Sequence, residues 1–301
     1  MIRHLNVAAY TGTRNLYKLM VPAVKSLLIN SNVDKIYLLI EDDEFPYELP
    51  KQVECINVSG QKYFKPDGPN MDSRFTYMAM IRATYAHLFP NLDRILSLDV
   101  DTIVDKDISA LWDIDLDDCY FAAVIEPDRS DVDEDILYTN IGVALYNLEM
   151  LRDGKADEVI KALNEKKYSF LEQDAFNEFC QGHIRKIPSI YNATNYTAIT
   201  RNPHIVHYAG MKKWGHIDLV QQYAKASWEE IAKHRARKEM FNSECGNREK
   251  KSESIVICRE LLSDSNVAVQ GSDIDQGNLR SVHAGTGSKG SDIRRAPSES
   301  D

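Results

Sequence analysis

Cysteine is scarce in this 301-residue chain and badly spaced for structural chemistry. Cys55, Cys119, Cys180, Cys245 and Cys258 are odd in number, scattered, and nowhere form Cys-x-x-Cys. That spacing excludes a disulfide framework or zinc knuckle and points to a reducing cytosol. No apolar run approaches the ~18 residues of a membrane span. Met1-Ile2-Arg3-His4-Leu5-Asn6 has neither an apolar h-region nor a small-residue cleavage site, so the reading is a cytoplasmic protein without a leader. The sequons at Asn192 and Asn195 then read as chance matches. Basic charge is short too: 36 Lys and Arg against 46 Asp and Glu leave −10, which excludes the basic footprint of a duplex nucleic-acid binder. Aromatic residues are missing from 242–301, a stretch rich in Ser and Gly. It reads as a low-complexity polar tail behind a folded unit over 1–241.

What is present is an alternation of apolar strands and amphipathic helices. Hydrophobic residues make up 43% of the chain, enough for a sizeable core. Leu5–Tyr10, Lys35–Ile40, Val53–Val58 and Arg94–Leu98 have the length and branching of buried strands. Leu16, Leu19, Met20, Ala23, Val24, Leu27 and Leu28 recur at helical spacing, predicting a helix over 15–29. A second is predicted over 75–88, a short capped turn over 108–112, and further helices over 149–165 and 171–181. Strand–helix–strand alternation predicts an α/β fold with a parallel sheet. Tyr120–Ile125 and Tyr138–Leu148 read as later strands, the second interrupted by Asn140 and Gly142, where a glycine marks a close approach. The acid-rich run 128–135 reads as a solvated loop. Lys233–Lys238 is basic on an acidic chain and reads as a solvated helix face, or at most as a peripheral contact with anionic lipid at the inner membrane face.

The stretch that carries chemistry is Leu98-Asp99-Val100-Asp101-Thr102. Asp-x-Asp recurs at six other places, but only this pair directly follows a buried-strand pattern. Two Asp at i and i+2 share one side of an extended chain and offer hard oxygen ligands for Mg²⁺ or Mn²⁺ where a sheet meets solvent. His207-Tyr208-Ala209-Gly210-Met211-Lys212-Lys213-Trp214 adds an imidazole able to complete such a site, with Mn²⁺ more tolerant of nitrogen. Its glycine lets a backbone N–H approach a phosphate, and its two ammonium groups balance charge. Glu172-Gln173-Asp174, at a helix start, offers acceptors and an amide for sugar hydroxyls, or simply charge favourable at a helix N-terminus.

Taken in order, Ile81-Arg82-Ala83-Thr84-Tyr85, Leu98 to Thr102, Asn140-Ile141-Gly142-Val143 and His207 to Trp214 resemble glycosyltransferase family 8, over about Leu5 to Trp228. The resemblance implies a GT-A fold, a Rossmann-like nucleotide-binding half joined to an acceptor-binding half. It implies retaining transfer of glucose or galactose from a UDP-hexose to a saccharide or lipid-linked saccharide acceptor of the cell surface. By that match Asp99, Asp101 and His207 hold Mn²⁺, with Mg²⁺ as the alternative. Arg82, Asn140 and Gly142 meet the donor sugar, as do Glu172 and Asp174. Gln173 lies near the anomeric carbon. Ala8, Val100 and Gly210 line the nucleotide.

Three positions depart from the family pattern. Its aspartate after the first strand is replaced by Tyr10-Thr11, a ring to stack on the base and a hydroxyl to bond it. Its Lys-Pro-Trp ending is Lys213-Trp214, so either Lys213 or Lys212 meets the diphosphate. Glu172 stands where many members have Asp. Two rivals stand beside this reading: a haloacid-dehalogenase-type phosphohydrolase, whose strand also ends in Asp-x-Asp, and a non-catalytic sugar-nucleotide binder on the same fold.

Overall fold

The computed structural model describes residues 5–126, 129, 137–194, 201–211, 213–238 and 240. Four strands, β1 (Val7–Thr11), β2 (Lys35–Ile40), β3 (Val53–Asn57) and β4 (Arg94–Leu98), lie parallel in the order β3-β2-β1-β4. Successive side chains of a strand point to opposite faces, so β1 feeds two cores. Ala8 and Tyr10 pack with Met20, Leu27 and Trp112 on the side of helix α1 (Tyr17–Asn30), while Val7 and Ala9 pack with Met78 and Ile81 on the other. Burial on both faces is why these strands read as unbroken apolar runs.

The second half departs from the parallel expectation. After α2 (Tyr85–Leu88) and β4 comes β5 (Thr102–Val104), then β6 (Phe121–Ile125) and β7 (Thr139–Asn147). β7 runs antiparallel to both β4 and β6, and β8 (Ile184–Lys186) extends the sheet parallel to β6, giving seven strands in the order β3-β2-β1-β4-β7-β6-β8. The one-turn α3 (Leu148–Met150), α4 (Ala156–Glu165) and α5 (Leu171–Phe179) cover the Val7/Ala9 face. β9 (Ile205–His207) leaves this sheet, pairs with β5 and bridges Ala193 through Val206, and α6 (Asp218–Lys225) packs on the α1 side.

Two helices expected from periodicity take other forms. Over 75–88 the chain winds as a 3₁₀ segment, Tyr77–Thr84, before the single α-turn of α2. Met78, Met80, Ile81, Arg82, Ala83 and Thr84 are all buried. The segment is thus gripped on every side instead of laying one amphipathic face on the core. The helix expected over 149–165 breaks at Leu151–Lys155, where Asp153 is non-helical and Gly154 adopts φ +91°. The basic stretch is a clamp in part: in helical residues 228–238, Lys238 donates to the Asn30 carbonyl at the end of α1 at 2.9 Å, and Arg235 to the Val33 carbonyl in the loop that follows at 3.2 Å. Lys238 thereby satisfies a carbonyl that a helix end leaves open. No helix among the described residues is long and apolar enough to cross a membrane. The expected tail, the Asn195 sequon and most of the acid-rich loop lie outside the described residues.

Gly154 and Gly60 separate backbone strain from crowding, since an added Cβ meets nothing within 4 Å at either, while only Gly154 has a left-handed φ. Gly154→Ala is expected to cost about 1–2 kcal/mol, whereas Gly60→Ala changes stability by at most about 1 kcal/mol, in the stabilising direction. Urea unfolding of both variants checks this, and equal midpoints would refute the strain assignment.

Candidate active site

The site assembles where β4 stops. The Asp99 N–H donates to the Gly142 carbonyl at 2.7 Å, the last rung toward β7, and Thr102 returns its N–H and hydroxyl to the Asp99 carbonyl at 3.1 and 2.7 Å. That turn leaves Asp99 and Asp101 at the sheet edge and starts β5, whose ladder with β9 pairs Thr102 with His207. Tyr208 N–H closes it on the Asp101 carbonyl at 2.9 Å. His207 Nε2 thereby lies 3.4 Å from Asp99 Oδ2 and 3.2 Å from Asp101 Oδ1. Each of the three residues offers one ligand atom within 4.8 Å of the others.

Gly142 makes room for this. The register of β7 against β6 jumps from Ala123↔Ala144 to Val124↔Asn140, leaving Ile141, Gly142 and Val143 unpaired on the β6 side. A Cβ at Gly142 would fall 2.3 Å from His207 Cε1 and 2.7 Å from Asp99 Oδ2. The interruption that the sequence places in this strand is therefore a close approach, with the imidazole and carboxylate as the approaching groups.

Behind the carboxylates stands Arg82, buried, with one Nη on Asp99 and the other 2.7 Å from Glu172 Oε1. One guanidinium serves two acids unequally. Burial opposes charge on Asp99, but Arg82 and then His207 outweigh it and hold that carboxyl well below the usual range. Burial dominates at Glu172 and pushes it up to about 7 against the pull of Arg82. Burial also opposes charge on His207, yet the adjoining Asp101 and Asp99 carboxylates raise it to about 10.

Gln173 meets the same floor from α5. Its Oε1 accepts from Ile141 N–H at 3.2 Å and its Nε2 donates to the Tyr138 hydroxyl at 3.1 Å. Asp174 accepts from Phe170 N–H at 2.7 Å, Arg129 at 3.2 Å and the Tyr138 hydroxyl. Leu171, at the start of this helix, holds φ +47°, a strained value for a branched residue. Asn140 is held by a side-chain network: its Nδ2 donates to Glu126 Oε1 at 2.6 Å, and its Oδ1 accepts from Gly142 N–H at 3.0 Å and Asn192 Nδ2 at 2.8 Å. Asn192 is fully buried, which leaves its sequon no room for a glycan.

The sequence-derived residues thus divide. Arg82, Asp99, Asp101, Gly142, Glu172 and His207 come together directly, and Gln173 and Asn140 adjoin them through Ile141 and Gly142. Glu172 and Asp174, expected on sugar hydroxyls, are already bound to Arg82 and to Arg129 and Tyr138. Tyr10 corrects the expectation of base stacking: its ring is fully buried on the α1 side, its hydroxyl directed at the Ala23 carbonyl 3.4 Å away. Ala8 lies deeper in the same strand, opposite Leu96, three rungs before the level where Asp99 begins. Thr11 and Val100 are buried near the strand ends, Gly210 turns with φ +73°, and Lys213 is exposed before Trp214. Lys212 lies outside the described residues. Asn192, Glu126 and Tyr138 escaped the sequence reading, because no local pattern marks residues recruited from 14 to 52 positions away.

The donor set suits a divalent cation: two carboxylates and an imidazole converge, and the one position that would fill the space between strand and imidazole is glycine. The model of the family described as glycosyl transferase family 8 matches residues 9–218. A Haemophilus influenzae protein assigned as a glycosyltransferase is 26% identical over 50% of this chain and 53% of its own. Glycosyltransferase GlyD of Streptococcus pneumoniae is 25% identical over 74% of this chain and 31% of its own. The chain therefore spans about half, or less, of these relatives. Among solved structures, GlyE of Streptococcus pneumoniae superposes with a TM-score of 0.59 at 20% identity, covering 79% of this chain and 64% of GlyE. Galactosyltransferase LgtC, crystallised with donor and acceptor sugar analogues, gives 0.55 at 17%, covering 76% and 99%. The fold is GT-A, and with the family model covering well over half of it, the chain belongs to glycosyl transferase family 8.

Proposed function

We propose that this chain, through a unit spanning 1–241, transfers glucose or galactose from a UDP-hexose, with retention of configuration, to a saccharide or lipid-linked saccharide acceptor on the cytoplasmic side. The observation that carries the reading is the convergence of Asp99, Asp101 and His207 at the end of β4. Those residues would hold Mn²⁺, or Mg²⁺, which supplies Lewis-acid stabilisation of the leaving diphosphate. Arg82 orients Asp99 from behind and keeps it ionised. Lys213 or Lys212 would add positive charge at the diphosphate.

The residues at the sugar end support a front-face route. Gln173 is a weakly nucleophilic amide engaged at both its ends. Neither neighbouring carboxylate is free: Glu172 is buried against Arg82, and Asp174 is bound by three donors. A covalent glycosyl-enzyme of the kind two-carboxylate retaining hydrolases form needs one of them released, so a trapped adduct on either would overturn this route.

The activity test is a donor screen that follows UDP release from UDP-glucose and UDP-galactose with Mn²⁺. Asp101→Asn should lower the rate by about 10²-fold or more. Turnover of p-nitrophenyl phosphate with Mg²⁺ and none of UDP-hexose would favour the phosphohydrolase, and tight UDP binding without turnover the non-catalytic binder. The cation reading makes a separate prediction. His207, with a pKa of about 10, carries a proton on the nitrogen facing the carboxylates at neutral pH. A metal must displace that proton, so Mn²⁺ binding should release about one proton and tighten as pH rises toward that value. Calorimetry in buffers of differing ionisation enthalpy reads this directly, and affinity that stays flat between about pH 6 and 8 would count against it.

A further inference from the structure

We infer that Asn192 is a positioning residue that fixes which nitrogen of His207 faces the cation, through a chain of amides whose polarity is set at both ends. The two ends of an amide, and the two nitrogens of an imidazole, are told apart by what they must bond. The chain here leaves no choice. A backbone N–H can only donate, so the Gly142 N–H at 3.0 Å identifies the Asn140 atom it meets as oxygen. At the other end a carboxylate oxygen accepts, so Glu126 Oε1 at 2.6 Å receives Asn140 Nδ2. Asn140 Oδ1 also faces Asn192 at 2.8 Å, and must be met there by a donor, Asn192 Nδ2. The remaining end of Asn192 is therefore Oδ1, and it lies 2.8 Å from His207 Nδ1.

His207 must then carry a hydrogen on Nδ1 and turn Nε2 to Asp99 and Asp101. The neutral imidazole that a metal requires is thus held as the Nδ1–H tautomer, with the Nε2 lone pair aimed into the cage. Ligand histidines commonly give their second N–H to a carboxylate or carbonyl; here a fully buried asparagine amide takes that place. The same chain begins at Gly142 N–H, whose carbonyl receives Asp99 N–H. The positions of the imidazole and of the first aspartate are therefore set by one continuous network.

This inference rests on the cation reading of the site, and the test separates the two. Free Mn²⁺ is counted by electron paramagnetic resonance against wild type and Asn192→Leu, both with UDP present. Asn192→Leu has the volume but no acceptor and should weaken Mn²⁺ binding by about 10–100-fold. Equal affinity in wild type and Asn192→Leu would overturn the inference while leaving the cation site standing. Wild type that binds no Mn²⁺ would remove the cation site, and this inference with it. Should the leucine variant fail to fold, the wild type alone still decides: with histidine ring nitrogens labelled with ¹⁵N and diamagnetic Zn²⁺ bound, His207, identified by its loss in His207→Gln, must show a protonated Nδ1 and a metal-shifted Nε2. The reverse pattern refutes the assignment.

Discussion

A half-buried acid at the end of β4 and a fully enclosed one on α5 repel each other and forfeit water, so the structure around them depends on the cation set between them. Arg82 is that cation, reaching Asp99 with one nitrogen and Glu172 with the other. Its own Nε and the neighbouring Tyr146 hydroxyl are buried without hydrogen-bond partners among the described residues, costs that the ion pairs must outweigh. Removing one member of such a buried group leaves an uncompensated charge, worth about 3–5 kcal/mol. The guanidinium therefore pins α5 and β4 to the 3₁₀ segment. It also explains why that segment is packed from all sides rather than amphipathic: its polar residue is as buried as its apolar ones.

A second constraint operates across the front of the site. The ladder of β5 with β9 is only three residues long on each side, yet it carries His207 onto the aspartates from more than a hundred positions downstream. So short a ladder has little stability by itself. It is reinforced where the Tyr208 N–H meets Asp101, where Ala193 and His207 exchange bonds with the chain around them, and where Asn192 grips the imidazole. Gly142 is the spatial condition for all of this, because any side chain there would occupy the place of the imidazole edge.

The start of α5 shows how the floor of the site is held. Leu171 accepts a left-handed backbone, and Asp174 folds back to cap the Phe170 N–H while anchoring Tyr138 and Arg129. Strain at one residue, held in place by a carboxylate three positions on, sets Gln173 between Ile141 and Tyr138. The Glu172 side chain is turned inward by the same geometry and ends on Arg82.

Much of this was legible residue by residue. The apolar runs of β1, β2 and β4 announce themselves because both of their faces are buried. Asp99, Asp101 and Gly142 stand out because carboxylates after a buried strand, or a glycine within one, are unusual without a reason, and His207 stands out through the family resemblance. Periodicity failed at 75–88 and at Gly154, where packing from all sides and one left-handed glycine override helical spacing. It also could not show that Tyr10, an aromatic at a strand end, points into the α1 core rather than toward a base. Sequence by itself determined the parallel strands and the paired aspartates, which follow from local pattern and residue chemistry, and the family, which follows from the order and spacing of four motifs and brought His207 in as the third candidate ligand. Only the tertiary structure decided that β7 runs antiparallel with a break at Gly142, that Glu172 and Asp174 are bound within the protein, and that Asn192 sets the imidazole. Those outcomes depend on which distant groups share a buried volume with too few hydrogen-bond partners to spare, and no linear spacing encodes that.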